Sequence, residues 1–336
     1  MSNELTPLDD KATWAQILER FNVPKLIAGP AGEALSRLIG KAIDIPTAKL
    51  EQIGQEIKDK TAAKSLVTKA LSEEVAKGVV ADKELVQRAA DNFLAKELRK
   101  QSNKEAIAKK TIEILAIEAK PGESPSSEQH PSEKEKSHLD EDWLNIFEQH
   151  AENATSERLR TIWSRTLAGE IRKPKSFSLQ TLRFISELDQ ATAELFEKHA
   201  SAIINDDFIP FLSKFRSPPH FADFLALEEA GLLSGSSGTL HKTFEFNAAV
   251  VFENRENFII GQTNGQNSTM QIQALLLTKV GREIAQLVDV KGSLERAGEF
   301  AAEIPKGNLV AIHYHTMNRG QQQSIPQLLW SKPPGN

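Results

Sequence analysis

The stretch from Ala119 to Glu141, AKPGESPSSEQHPSEKEKSHLDE, constrains this chain more than any other. It carries three prolines and five serines among many charges, with no aromatic residue and a single leucine. A segment of that kind buries too little apolar surface to offset the entropy of ordering it. It reads as a flexible linker with separate folded regions on either side. The expected organisation is a helical N-terminal region over 1–118, the linker over 119–141, a helical bundle over 142–204 and an α+β domain over 205–330. The fold class expected is mainly α with a C-terminal α+β domain.

With 336 residues the chain has room for about two domains. Its 41 Lys+Arg against 46 Asp+Glu give a formal charge of -5, so no global basic field draws nucleic acid or anionic lipid. Cysteine is absent, which excludes disulfides, thiol nucleophiles, iron–sulfur clusters and thiolate zinc sites. No apolar run is long enough to span a bilayer, and the first residues lack the basic start and apolar stretch of a secretory signal. A cytoplasmic protein is expected, with peripheral contact at the inner membrane as the alternative.

Within the N-terminal region, Pro30 suits the first turn of a helix and Pro46 ends it. Gly32, Ser36 and Gly40 fall four apart and line one face, which lets a second backbone approach closely. Leu35, Leu38, Ile39 and Ile43 recur at helical spacing beside them. This face is the candidate contact surface. A helix packed inside a bundle is favoured; a second copy of the chain and a membrane surface are the other occupants. Four charges and a short span weigh against the membrane. From Thr47 to Ile117 the apolar positions suggest three helices, each with a narrow buried stripe, the later two containing Phe93 and Leu98 and then Ile107 and Leu115.

After the linker, Trp143 and Phe147 share a helix face, Thr155 or Ser156 caps the next helix, and Trp163 and Leu167 line its core side. Gly169 and Pro174 bound its end, and Phe177 with Leu182 occupies the two positions of a hydrophobic staple. A further helix starts after Asp189. In the tail, Phe221–Leu233 reads as a helix closed by Gly231. Phe244–Phe252 and Phe258–Gln262 read as a hairpin, Gln271–Leu277 as a third strand and Leu309–Met317 as the last one. Helices Lys279–Val288 and Ser293–Ile304 are expected between them. The helix and hairpin resemble a winged-helix reader with its wing, on a small, mostly antiparallel sheet.

The block from Asp142 to Ala200 resembles an uncharacterised bacterial family of unknown function related to the abortive-infection alpha proteins. The resemblance rests on Trp143 and Phe147, Ala151–Ala154, Trp163, Leu167–Ile171, Pro174, Phe177–Leu182 and Ala193–Phe196, and on the opening Ile27–Leu50. It covers about a third of the chain. It implies bacterial origin and a role in phage defence, and it brings no catalytic residues. The matched residues read as core-packing positions.

Other candidates are weighed residue by residue. A DNA reader needs donors on its exposed helix face. Here Asp223, Glu228 and Glu229 are expected at the surface, with only Lys214, Arg216 and His220 to offset them, so protein contact is favoured over DNA. His313 and His315 alternate on a strand, with His241 as a distant third imidazole; satisfied strand histidines are the favoured reading over zinc. Gly40-Lys41-Ala42 lacks a phosphate loop's spacing, and Ser234–Gly238 reads as a flexible turn, not a nucleophile elbow. The expectation is a non-catalytic interaction protein with no cofactor or metal, a sensor or effector in phage defence with a protein partner. A nucleic-acid-binding regulator and a membrane-active effector are the alternatives, and self-association stays open.

Overall fold

The computed structural model describes residues 30–39, 83–118, 139–265, 267–316 and 326–333. Contacts divide the chain into two compact units, Met1–Leu182 and Arg183–Asn336. That boundary falls inside the range 142–204 expected to form one bundle.

The first unit contains α1 (Pro30–Ile39), α2 (Lys83–Glu118), α3 (Glu141–Ala151), α4 (Glu157–Arg172) and the start of α5 (Leu179–Glu187). The expectation of three helices before the linker is corrected from residue 83 onward, where one helix runs unbroken to Glu118. Lys, Glu and Ala fill this span with no Pro or Gly, so nothing in it signals a stop. The first of the three expected helices lies outside the described residues. Nor is the buried stripe continuous. Phe93 is 67% exposed and Leu98 47%, whereas Ile107, Ala108, Ile112 and Leu115 are buried.

Small side chains bring α2 and α4 together. The Ser164 hydroxyl donates to the Ile107 carbonyl at 3.1 Å, and the Thr111 hydroxyl to the Ser164 carbonyl at 3.4 Å. Asn103 donates to the Glu152 carbonyl and accepts from Arg160, both at 2.9 Å. The linker ends earlier than expected. Leu139 is buried, and Asp140 caps α3 by accepting from the backbone N–H groups of Asp142 and Trp143. Residues 119–138 lie outside the described set. Ser156 caps α4 by accepting from Leu159 N–H at 3.2 Å.

The second unit continues α5 and adds α6 (Gln190–Ala200), β1 (Phe208–Pro210), a 3-10 turn (Ser213–Arg216), α7 (His220–Glu229) and β2 (Leu233–Ser234). Then follow β3 (His241–Phe246), β4 (Ala249–Asn254), β5 (Asn257–Thr263), β6 (Ser268–Leu277), α8 (Lys279–Ala285), α9 (Leu294–Glu303), β7 (Leu309–His315) and β8 (Gln327–Ser331). The strands make two antiparallel sheets where one was expected. In the first, β6 lies between β1 and β2 and also pairs with β3; the second has the order β4-β5-β7-β8.

Phe244–Phe252 is therefore not one strand. It breaks at Asn247–Ala248, so β3 pairs with β6, and β4 alone forms the hairpin with β5. Phe244, Phe246, Val250 and Phe252 keep one alternating phase across the break, which hides it from a period-two reading. Nor is β7 the last strand, since β8 pairs with it.

Edge-to-face contacts run through this unit's core, from Phe244 to Phe252 and from Phe252 to Phe300, with ring centres 5.0 Å apart in each. Buried Asn254 ties strand to helix: its amide donates to the Ser201 and Ile203 carbonyls, and its oxygen accepts from Ser293 N–H. Arg255 closes the end of α8 on the carbonyls of Ala285 and Val288. Gly231, at φ +78, ends α7 in the left-handed conformation that favours glycine.

Candidate functional site

The family-like residues of the first unit meet in one place. Trp143 stacks on Phe147 at 5.2 Å, and Phe147 meets Trp163 edge-on at 5.3 Å. The Trp143 indole N–H donates to the Phe177 carbonyl at 2.7 Å, while Leu167 and Leu182 are fully buried. Gly169 is required by contact: a Cβ there would lie 2.7 Å from the Phe177 ring. The neighbouring Glu170, 2% exposed, accepts from Lys175 N–H at 2.5 Å and from Phe177 N–H at 3.0 Å, which fixes the turn after α4. These groups hold a fold together and leave no open polar atom for a ligand among those named.

The candidate contact face on α1 is largely covered by the first unit itself. Leu35, Leu38 and Ile39 are buried, Gly32 is half-buried, and α1 packs on α2. Gln101 donates to the Leu38 and Ile39 carbonyls, and Arg37 pairs with Glu148 at 3.3 Å. Ser36 lies on α1, and Gly40 and Ile43 lie outside the described residues. Among the described residues, no helix is long and apolar enough to cross a membrane.

On α7 the acids are placed differently from the expectation. Of the three, only Glu229 is exposed; Asp223 and Glu228 are half-buried. Glu228 turns back to accept from the Gly235 and Ser236 N–H groups at 2.9 and 3.0 Å and from the Ser236 hydroxyl, so the Ser234–Gly238 turn is anchored. Burial pushes the Glu228 carboxyl up, but these hydrogen bonds outweigh it and hold the group below its usual value. Asp223 is likewise committed, to the cluster described next. The outward positions of α7 are Ala222, Leu225, Ala226 and Glu229. The basic residues upstream are also engaged: Lys214 pairs with Glu299, and Arg216 bonds the Phe211 carbonyl and Gln273.

Among the described residues, one group of ligand-type side chains in the second unit has bonding capacity left over. His199, in the last turn of α6, meets His220 and Asp223 from the first turn of α7. Residues three apart on a helix share a face, so His220 and Asp223 project together toward α6. His199 Nε2 lies 2.9 Å from Asp223 Oδ2, and Lys198 Nζ reaches the same oxygen at 2.7 Å. One ligand atom from each of His199, His220 and Asp223 lies within 4.8 Å of the others. Phe215 and Phe224 wall the site, with Phe224 at 4.4 Å from the His199 ring and Phe215 at 5.7 Å from that of His220.

His199 is 1% exposed, and its Nδ1 is buried without a hydrogen-bond partner; so is Nδ1 of His220. Such atoms are uncommon in folded proteins. Burial pushes the His199 imidazole below its usual value, more than the bond to Asp223 raises it, so the ring is neutral and donates Nε2–H to Asp223; a metal at Nε2 would take the place of that proton. Burial raises the Asp223 carboxyl, yet the bonds from Lys198 and His199 prevail and keep it ionised.

From the sequence, His220 is expected as an upstream donor and Asp223 as an exposed acid, and His199 carries no local signal. The His220-x-x-Asp223 spacing was the available signal. His313 and His315 do sit together on β7, 6.4 Å apart, but His241 lies on β3 in the other sheet, and the three form no ligand group among the described residues.

Residues 87–297 match the family described as "Protein of unknown function (DUF2806)". The match covers more than half of the chain. The chain belongs to the DUF2806 family. The matched span takes in both the Trp143–Phe177 packing knot and the His199–His220–Asp223 cluster. Comparison with curated proteins and with solved structures finds no match to the chain.

Proposed function

We propose that this DUF2806 protein is a non-catalytic interaction protein whose second unit is winged-helix-like and offers the outward face of α7 to a protein partner. The winged-helix reading is supported by the succession α6, β1, 3-10 turn, α7, β2, with β6 between β1 and β2 in the sheet. The partner reading rests on one observation: Ala222, Leu225, Ala226 and Glu229 face outward on α7, and none is a Lys, Arg, Asn or Gln. Base edges and phosphates are read by donors, whereas a small apolar face with one carboxylate suits a protein surface carrying an apolar pocket and a basic residue beside it. The phage-defence setting implied by the sequence resemblance is where that partner is sought.

The test captures partners from infected and uninfected cells with the parent chain and with Leu225→Lys, and titrates labelled duplex DNA and anionic vesicles with the purified chain. The reading expects a protein captured by the parent and lost with Leu225→Lys, and no salt-sensitive duplex binding. Duplex binding that falls steeply with salt, or capture indifferent to Leu225→Lys, overturns it.

A further inference from the structure

We infer that His199, His220 and Asp223 form a binding site for a first-row divalent transition metal, with zinc as the reference ion. The donor set is two imidazoles and one carboxylate, which suits zinc and its neighbours and disfavours magnesium and calcium, the ions of all-oxygen sites. Three protein ligands leave a fourth position for water or an incoming group.

The geometry is close to what such an ion needs. Bonds of about 2.0–2.1 Å in a tetrahedron place ligand atoms roughly 3.3 Å apart. His199 Nε2 and Asp223 Oδ2 are already 2.9 Å apart, and the widest separation in the group is within 4.8 Å. Closing the set takes at most about 1.5 Å of side-chain movement, the excess of the 4.8 Å limit over the tetrahedral spacing. His220 is free to supply it, since it is the first residue of α7, only half-buried, and has no hydrogen bond at Nδ1. Nδ1 of His199 and of His220 is buried with no protein hydrogen-bond partner, so neither ring is closed upon the cluster; Nδ1 of His313 is in the same state but lacks a third ligand among the described residues, which makes it a matched control.

Lys198 holds the position of a competitor. Its ammonium neutralises Asp223 Oδ2 in the metal-free protein, and at 49% exposure it swings into water when a dication arrives. The ion would then tie the end of α6 to the start of α7. His313 and His315 are a two-ligand pair and serve as the internal control.

The test uses the full chain, freed of any histidine tag and stripped of metal. Zinc titration calorimetry and the visible ligand-field band of cobalt are read for the parent, His220→Ala, Asp223→Asn and His313→Ala. One ion per chain is expected, weakened by more than about tenfold in the first two variants and unchanged in the third. Metal-free thermal midpoints separate loss of a ligand from loss of fold. Should His220→Ala or Asp223→Asn unfold, Lys198→Gln keeps every ligand and removes the competing charge; it is expected to bind zinc at least as tightly as the parent. No saturable binding, equal binding by parent and His220→Ala, or weaker binding by Lys198→Gln overturns the assignment.

Discussion

The packing knot around Gly169 in the first unit and the histidine cluster in the second are assembled from similar parts. Each joins two helices and a turn, surrounds ionisable or polar side chains with aromatic rings, and buries a group that water would otherwise solvate. They differ in how the polar atoms are satisfied. In the knot, the Trp143 indole and both oxygens of Glu170 end on backbone partners. In the cluster, Nδ1 of His199 and of His220 end on none. A buried polar group bonded within the protein fixes a fold, whereas one with no protein partner keeps bonding capacity for a water, an ion or another group. The knot reads as finished structure, and the cluster keeps bonding capacity for a further group.

Several substitutions sharpen or break that contrast. Trp163→Ala removes the ring that Phe147 meets edge-on, and a loss of about 3–5 kcal/mol is expected in urea unfolding followed by a probe confined to the first unit. A loss near zero would mean the knot is not a core. Glu170→Gln turns one acceptor into a donor facing a backbone N–H, for a loss of about 2–3 kcal/mol in the same measurement.

In the second unit, Glu228→Gln is expected to cost about 1 kcal/mol at neutral pH, because Glu228 is partly solvated. Its pH dependence has a definite sign. The folded carboxyl titrates below its ordinary 4.5, so its bonds contribute in full above that value and fade as pH falls through the lower folded one. Parent and variant should therefore converge in stability over that acid window, and a gap that widens there contradicts the assignment. Leu225→Lys, at an outward position, should shift stability by no more than about 0.5 kcal/mol while removing partner capture.

What could be read from the sequence followed local chemistry. The Ser156 cap, the Phe177–Leu182 staple and the close of α7 at Gly231 each depend on residues within a turn or two, and all three lie where expected. The break at Asn247–Ala248 was hidden because the alternation of Phe246 and Val250 passes through it in phase. Where α2 begins could not be told from a run of helix formers without punctuation, whereas its end at Glu118 falls where the Pro/Ser-rich stretch was expected to start. Among the site residues, His220 and Asp223 stood out only singly, because the helix was expected to start at Phe221 and it begins at His220, which puts the two on one face. His199 did not stand out, because only the tertiary packing of α6 beside α7 brings it 24 residues across the sequence to Asp223. Likewise Glu228 and Asp223 looked like solvent-facing acids on a helical wheel, and only their contacts with the 235–236 turn and with α6 show them turned inward.

The most direct measurement places a photoreactive amino acid at position 225 on α7 and, as control, at position 93 on α2, both exposed, and reads the adducts formed in living cells by mass spectrometry. The account predicts a discrete protein adduct at 225 and none of the same mass at 93. A nucleic-acid adduct at 225, or the absence of any adduct there, would contradict it.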